Sequence, residues 1–327
     1  MGCPERVKSS TKPLLIAVIG ATATGKTSLA LQIAKKITGE IINCDSMQLV
    51  KGMDIGTAKP SLIDRATIPH HLYDLIDPNQ WYSAGQYMVE ARAICREIAD
   101  RDKVSLVVGG TGLYLKALLQ GIFEGPSRST KYRRHLNKVV DQGGNSQLYA
   151  QLMKVDPISA KKIPVKDKVR IIRALEVYYE SGSPISKLQL TRIPLNGFRV
   201  IKIGIHLDRE DLYDRINKRV HSMFETGLLK EVRELMDQGY SIDCKGFEAI
   251  GYRQAISFLL GNISLEEAIE KTSIDTRHYA KRQVTWFRRE SGVNWVQSPG
   301  ESSEALTEVL KLLVNTNNVL HCQSIQN

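Results

Sequence analysis

The chain has 327 residues, 42% apolar and 24% charged, with a net charge of +10, which is enough to bury a substantial core and ordinary for a globular protein. Its longest apolar runs are strand-length, far below the roughly 18 residues of a membrane span. No transmembrane helix is expected, and the basic balance points to a polyanionic partner. Five scattered cysteines (Cys3, Cys44, Cys95, Cys244, Cys322) show neither a zinc spacing nor a disulfide framework. They read as small, inert thiols in a reducing, cytoplasmic setting.

Residues 1–13 are polar and basic and read as a flexible tail, as do 316–327. Residues 14–19 form an unbroken apolar run ending in Gly20, the pattern of a buried parallel strand. Apolar residues at helical spacing then predict a helix over 26–37, and 41–44 predicts a second strand. A loop is expected over 71–77, a helix over 84–100 and a third buried strand over 104–108, ending at Gly109-Gly110. From residue 124 the pattern becomes helical and basic, with turn signals at Gly143-Gly144 and 181–184. A strand over 200–206 follows, then helices over 209–238, 247–260, 264–289 and 303–314.

Strands alternating with helices predict an α/β fold, a P-loop NTPase-like doubly wound parallel sheet with a mostly helical insertion domain. The expected core is discontinuous, 14–123 with 195–315. The expected insertion, 124–194, holds fourteen Lys or Arg against six acids, a net +8. Charge so concentrated marks the insertion as the surface for the polyanion.

The sharpest motif is Gly20-Ala21-Thr22-Ala23-Thr24-Gly25-Lys26-Thr27. Directly after a buried strand and opening a helix, it has the spacing and context of a phosphate-binding loop. Its glycines allow a tight turn whose amides face phosphate oxygens, the helix N-terminus adds partial positive charge, and Lys26 adds a full one. The Thr27 hydroxyl is the candidate ligand for Mg²⁺. The third strand ends Val108-Gly109-Gly110-Thr111 without the acid that hydrolytic nucleotide machines place there. That disfavours hydrolysis and favours a small-molecule transferase.

Asp45-Ser46-Met47-Gln48 follows the second strand, at the sheet edge where α/β proteins bind ligands. Asp45 can accept a proton from a nucleophile or cap the next helix, and Gln48 can read a base edge.

Together with these, the blocks at 52–60, 70–74, 82–84, 108–114, 170–177, 250–254 and 279–288 run in the order found in one family. The chain resembles the tRNA dimethylallyltransferases (tRNA isopentenyltransferases, the IPP transferase family) from about residue 14 to 296. The resemblance implies transfer of a dimethylallyl group from dimethylallyl diphosphate to N6 of adenosine 37, beside the anticodon of tRNA, with release of diphosphate. It further implies that Asp45 is the base, that Thr111 contacts the reacting adenosine and that Arg219 lies at the diphosphate. Arg133, the segment Val169, Arg170, Ile171, Ile172 and Arg173, and the segment Glu248, Ala249, Ile250, Gly251, Tyr252 and Arg253 match tRNA-contacting positions. A monomer is expected. Lys281 and Arg282 suit either a ligand or the surface, and Trp286 and Phe287 are expected in the core. Val50-Lys51, Pro164-Val165-Lys166 and Glu248 depart from the family's common pattern. The rival readings are an adenylate isopentenyltransferase acting on a free nucleotide, a P-loop small-molecule kinase and a non-catalytic RNA-binding module.

Overall fold

The computed structural model describes residues 12–123 and 125–315. The expected tails at 1–11 and 316–327, with Cys3 and Cys322, lie outside the described residues.

Among the described residues six strands form one sheet: β1 (Leu14–Gly20), β2 (Gly39–Asn43), β3 (His70–His71), β4 (Val104–Gly109), β5 (Arg199–Ile205) and β6 (Val293–Val296), in the order β3-β2-β4-β1-β5-β6. Every pairing is parallel. The central strand β1 aligns Ile19 with Gly109 of β4 and with Gly204 of β5. Its seven residues are all buried. Leu14, Ile16 and Val18 pack with Leu29, Ala30, Ile33 and Ala34 of α1 (Lys26–Ile37) and with Ala305, Val309 and Leu313 on the last helix. Leu15, Ala17 and Ile19 point the opposite way and are equally buried. Burial on both faces explains why the strand reads as a continuous apolar run, and each Leu or Ile so buried contributes roughly 1.5–3 kcal/mol.

The remaining helices are α2 (Leu62–Thr67), α3 (Ala84–Asp100), α4 (Gly112–Gln120), α5 (Thr130–Val155), α6 (Pro157–Lys162), α7 (Lys168–Ser181), α8 (Ile185–Leu188), α9 (Arg209–Glu225), α10 (Leu228–Asp237), α11 (Tyr252–Leu259), α12 (Leu265–Phe287) and α13 (Ser303–Asn315). Capping boxes at Ser83 and Ser264 fix the starts of α3 and α12.

Several expectations need correction. The helix expected over 209–238 is two, α9 and α10, because Gly227 takes φ 120° between them. The helix expected over 247–260 is a single tight turn, Gly246–Glu248, followed by α11, with Gly251 at φ 93° between. The loop expected from 71 begins with strand β3, paired to β2 through Ile42 and His71. Strand β6 was not anticipated, being a four-residue edge strand containing polar Asn294. The signal at Gly143-Gly144 is a kink inside α5, where Gly144 has φ 68°.

The chain divides into two compact units, Met1–Leu115 with Asn196–Asn327, and Lys116–Leu195. The second unit therefore starts within α4, before the charge pattern changes at 124. It is helical, with its own core of Leu136, Leu148, Leu152, Ala160, Ile171, Leu175 and Val177. The buried carboxylate of Asp156 organises it, accepting from the amides of Ser159 and Ser186, each at 2.9 Å.

Candidate active site

The carboxyl ends of β1, β2 and β4 come together at one edge of the sheet. Beyond β1, Gly20 has φ 149°, Ala23 φ 63° and Gly25 φ 86°. These values close the 20–27 loop tightly and deliver the chain to α1, whose first turn has amides without intrahelical acceptors. The loop is held by side chains. Thr24 Oγ1 donates to the Ala21 carbonyl at 2.9 Å, and Lys26 Nζ donates to the same oxygen at 2.5 Å. Arg215 Nε on α9 donates to the Ala23 carbonyl at 2.8 Å, while its Nη2 pairs with Glu301 at 2.5 Å. The Gly300 amide donates to the Thr24 carbonyl at 2.9 Å. A side chain at Gly25 would collide with Glu301 and Gly300.

Strands β2 and β4 leave the sheet almost in contact. The Cys44 amide donates to Val108, and the Thr111 amide donates to Cys44. A Cβ on Gly109 would lie 2.1 Å from the Cys44 carbonyl, so only glycine allows this approach. The result places Thr111 Oγ1 3.0 Å from the Ser46 amide, which donates to it. Asn43, fully buried, shapes the turn that presents Asp45: its Oδ1 accepts from the Asp45 amide at 2.8 Å, and its Nδ2 donates to the Asp45 and Leu72 carbonyls. Asp45 Oδ1 accepts from the Met47 amide at 3.0 Å. Asp45 thus closes its own turn and does not cap a helix, the next one starting only at Leu62.

Lys26, Asp45 and Arg219 share one electrostatic environment. Burial lowers the Lys26 ammonium to about 8, with Asp45 pulling it back up and Arg219 adding to the fall. Burial also lowers Arg219, again opposed by Asp45. Burial, reinforced by Asp45, raises the Tyr279 phenol of α12, against Thr111 and Gln283. Arg219 also lines a cleft of about 730 Å³ together with Lys59, Arg65, Lys218 and Met223.

The other sequence-assigned positions divide between surface and core. Gln48 Nε2 donates to the Thr57 and Ala58 carbonyls at 3.0 and 3.1 Å, so its donor ties down a neighbouring loop. Tyr252 is fully buried, and its hydroxyl donates to Glu231, which also accepts the amides of Asp54 and Ile55. Gly251 is buried, Ala249 and Ile250 are partly so, Glu248 pairs with Lys245, and Arg253 lies exposed 3.4 Å from Asp275. In the helical unit, Ile171 and Ile172 belong to the core, whereas Val169 and Arg170 are exposed. Arg133 makes two hydrogen bonds, 2.7 and 3.0 Å, to the fully buried Glu176, and Arg173 adds a third at 2.9 Å. Lys281 and Arg282 are exposed. Phe287 is buried, but Trp286 is 41% exposed and leaves no room for a side chain on Gly112, a correction to its expected core position. Its helix turns that face outward beside the end of β4. Cys44, Cys95 and Cys244 are buried, and burial pushes the first two thiols up to about 12.

Sequence reasoning gave no role to Asn43, Arg215, Tyr279 or Gln283. The last two stand in the 279–288 block, but only their contacts across the fold show what they touch.

A family model described as IPP transferase matches residues 48–290, and one described as isopentenyl transferase matches 13–65. The tRNA dimethylallyltransferase 2 of Geotalea daltonii is 43% identical over 306 residues, covering 93% of this chain and 94% of that protein. The crystal structure of the full-length tRNA isopentenylpyrophosphate transferase of Bacillus halodurans is 38% identical, with TM-score 0.68, covering 93% of this chain and 96% of that one. A eukaryotic dimethylallyltransferase, described as acting on tRNA, is 27% identical with TM-score 0.78, covering 95% of this chain and 81% of its own. With the glycine-framed 20–27 loop, an acid and a threonine gathered at one sheet edge and likeness along nine-tenths of its length, this chain belongs to the IPP transferase family.

Proposed function

We propose that this protein is a tRNA dimethylallyltransferase, which moves the dimethylallyl group of dimethylallyl diphosphate to N6 of adenosine 37 in the anticodon stem-loop of tRNA. The observation that carries the reading is the gathering of the 20–27 loop with Lys26, the turn of Asp45 and the Thr111 hydroxyl at the carboxyl ends of β1, β2 and β4, with Lys26 and Arg219 both within the field of Asp45. Two cations and a helix N-terminus suit a leaving diphosphate, and a carboxylate beside them suits a proton leaving the acceptor.

In this mechanism the amides of the 20–27 loop, Lys26 and Arg219 hold the diphosphate. The allylic C–O bond breaks with its electron pair going to diphosphate, and these groups stabilise the negative charge that develops. The adenine N6 lone pair forms the new C–N bond, and the N6 proton passes to Asp45. Thr111, its hydroxyl fixed by the Ser46 amide, orients the base. Among the described residues no three His, Cys, Asp or Glu side chains gather. The Thr27 hydroxyl, a hard oxygen at the start of α1, would be the protein's ligand to an Mg²⁺ that accompanies the diphosphate. Mg²⁺ would supply further positive charge to the leaving group. The tRNA backbone is held by exposed basic side chains of the helical unit, where Lys131, Arg134, His135 and Lys138 line one cleft. No helix among the described residues is long and apolar enough to cross a membrane.

The test is incubation with labelled dimethylallyl diphosphate and either unmodified tRNA or AMP, with ATP as donor in a parallel arm. Label in tRNA is expected. Label in AMP alone would favour the free-nucleotide enzyme, and phosphoryl transfer from ATP would favour a kinase.

A further inference from the structure

Gln283 lies near the C-terminal end of α12 and is only 5% exposed. A buried carboxamide is costly unless both of its ends are bonded. Here both are, and both partners are main-chain groups of the candidate site. Oε1 accepts from the Thr22 amide at 2.8 Å, and Nε2 donates to the Gly110 carbonyl at 2.9 Å. A Cβ at Gly110 would sit 2.1 Å from Nε2, so this approach needs glycine there.

Each of these contacts fixes a whole peptide plane, because the N–H and C=O of a trans peptide point in opposite directions. The Thr22 amide belongs to the same peptide unit as the Ala21 carbonyl, the oxygen that receives the Lys26 ammonium and the Thr24 hydroxyl. The Gly110 carbonyl belongs to the same unit as the Thr111 amide, which donates to Cys44 at 3.0 Å. One side chain therefore grips the peptide that anchors Lys26 and the peptide that carries Thr111.

We propose that Gln283 is a positioning residue for prenyl transfer, setting the diphosphate side of the site, through Lys26, in register with the acceptor side, through Thr111. The inference rests on the transfer reading above. Without the clamp the Ala21–Thr22 peptide can rotate, its carbonyl can face the diphosphate, and the Lys26 ammonium loses its fixed place.

The test uses full-length Gln283→Leu and Gln283→Glu. Gln283→Leu keeps most of the volume and removes both bonds. In Gln283→Glu the carboxylate still accepts from Thr22 but repels the Gly110 carbonyl until it is protonated. Three quantities are read on protein with a wild-type circular dichroism spectrum: affinity for inorganic diphosphate by calorimetry, kcat for transfer, and tRNA affinity by anisotropy. Gln283→Leu is expected to weaken diphosphate binding about tenfold and to lower kcat about a hundredfold, the scale of an ångström-level misplacement. Its tRNA affinity should stay within about twofold, since it touches no surface group. Gln283→Glu should regain diphosphate affinity relative to wild type as pH is lowered, a recovery that a purely structural role would not give. Diphosphate affinity and kcat within about twofold of wild type in folded Gln283→Leu, or no recovery in Gln283→Glu at low pH, would overturn the proposal. The diphosphate titration reads the clamp even if the wild-type protein modifies no tRNA, so failure of the two readings can be told apart.

Discussion

Arg133→Ala separates a structural arginine from an RNA-binding one. Glu176 has no exposed surface and accepts four hydrogen bonds, from the Ser129 amide at 2.8 Å, from Arg133 at 2.7 and 3.0 Å, and from Arg173 at 2.9 Å. Burial pushes its carboxyl up, but Arg133, Arg173 and the Ser129 amide outweigh that and hold it below the usual value. Stripping a buried carboxylate of its only partner costs about 3–5 kcal/mol. Arg173 and the amide remain, so roughly half of that, about 2 kcal/mol, is expected, or about 3 °C in a chain of this size. Thermal and urea unfolding of Arg133→Ala at pH 7 measure it. The double variant Arg133→Ala/Glu176→Gln should recover much of the loss, because a neutral amide needs no counter-charge. Arg170→Ala is the contrast: its side chain is 60% exposed and pairs with Asp167, an arrangement worth ~0–1 kcal/mol. It should melt with wild type while the slope of log K against log salt for tRNA falls by about 1. If Arg133→Ala melted with wild type, Glu176 would not be a charge held by two guanidiniums, and the reasoning would fail.

Asp45→Asn keeps the oxygen that accepts from the Met47 amide and so preserves the turn while removing the base. Transfer should fall by several orders of magnitude with tRNA binding nearly unchanged, and turnover within about tenfold of wild type would remove Asp45 as the base. Lys26 is lowered from its usual 10.5 to about 8, so its charge opposes folding at neutral pH, and the opposition fades as pH rises between those values. Lys26→Met should therefore melt no lower than wild type at pH 7 yet bind diphosphate at least about tenfold more weakly by calorimetry; a large loss of stability would contradict the shift. Burial raises Glu40, but Arg101, Lys103 and His71 bring it down to about 2. Its contribution is complete above its unfolded value of 4.5 and is lost as pH falls from there through about 2. Glu40→Gln should flatten the acid limb of urea stability in that window, and an unchanged limb would show that the cluster does not couple to folding.

What could be read from the sequence was what is written contiguously. The 20–27 loop compresses strand end, turn and helix start into eight residues, and Asp45 and Thr111 each follow a strand, so topology alone takes them to the same edge. The parallel sheet was legible because strands buried on both faces are unbroken apolar runs. Gln283 and Arg215 were silent because their meaning lies in partners far along the chain: 261 residues separate Gln283 from Thr22, and 192 separate Arg215 from Ala23. Gly227 was missed because the apolar pattern continues through it on either side, while its φ of 120° ends the helix. Trp286 was misplaced because helical spacing does not say which of two adjacent aromatics, Trp286 or Phe287, faces the core.

The helical unit also shows why charge counted along a sequence overstates the charge available for contact. Of its basic residues, Arg133 and Arg173 are committed to the buried Glu176, whereas Arg170 pairs with Asp167 at the surface. Pairing does not alter the long-range field, which depends on the sum and would still draw a polyanion toward this unit. It does alter which side chains can give up their partners to phosphate. An exposed lysine does so at little cost, whereas Arg133 would leave a buried carboxylate behind. On the proposed function, steering and grip are therefore distributed differently: the whole +8 stretch would steer, and the exposed Lys131, Arg134, Lys138 and Arg170 would grip. The +8 of the sequence is thus evidence for a partner's charge, and the geometry around Glu176 limits which residues meet it.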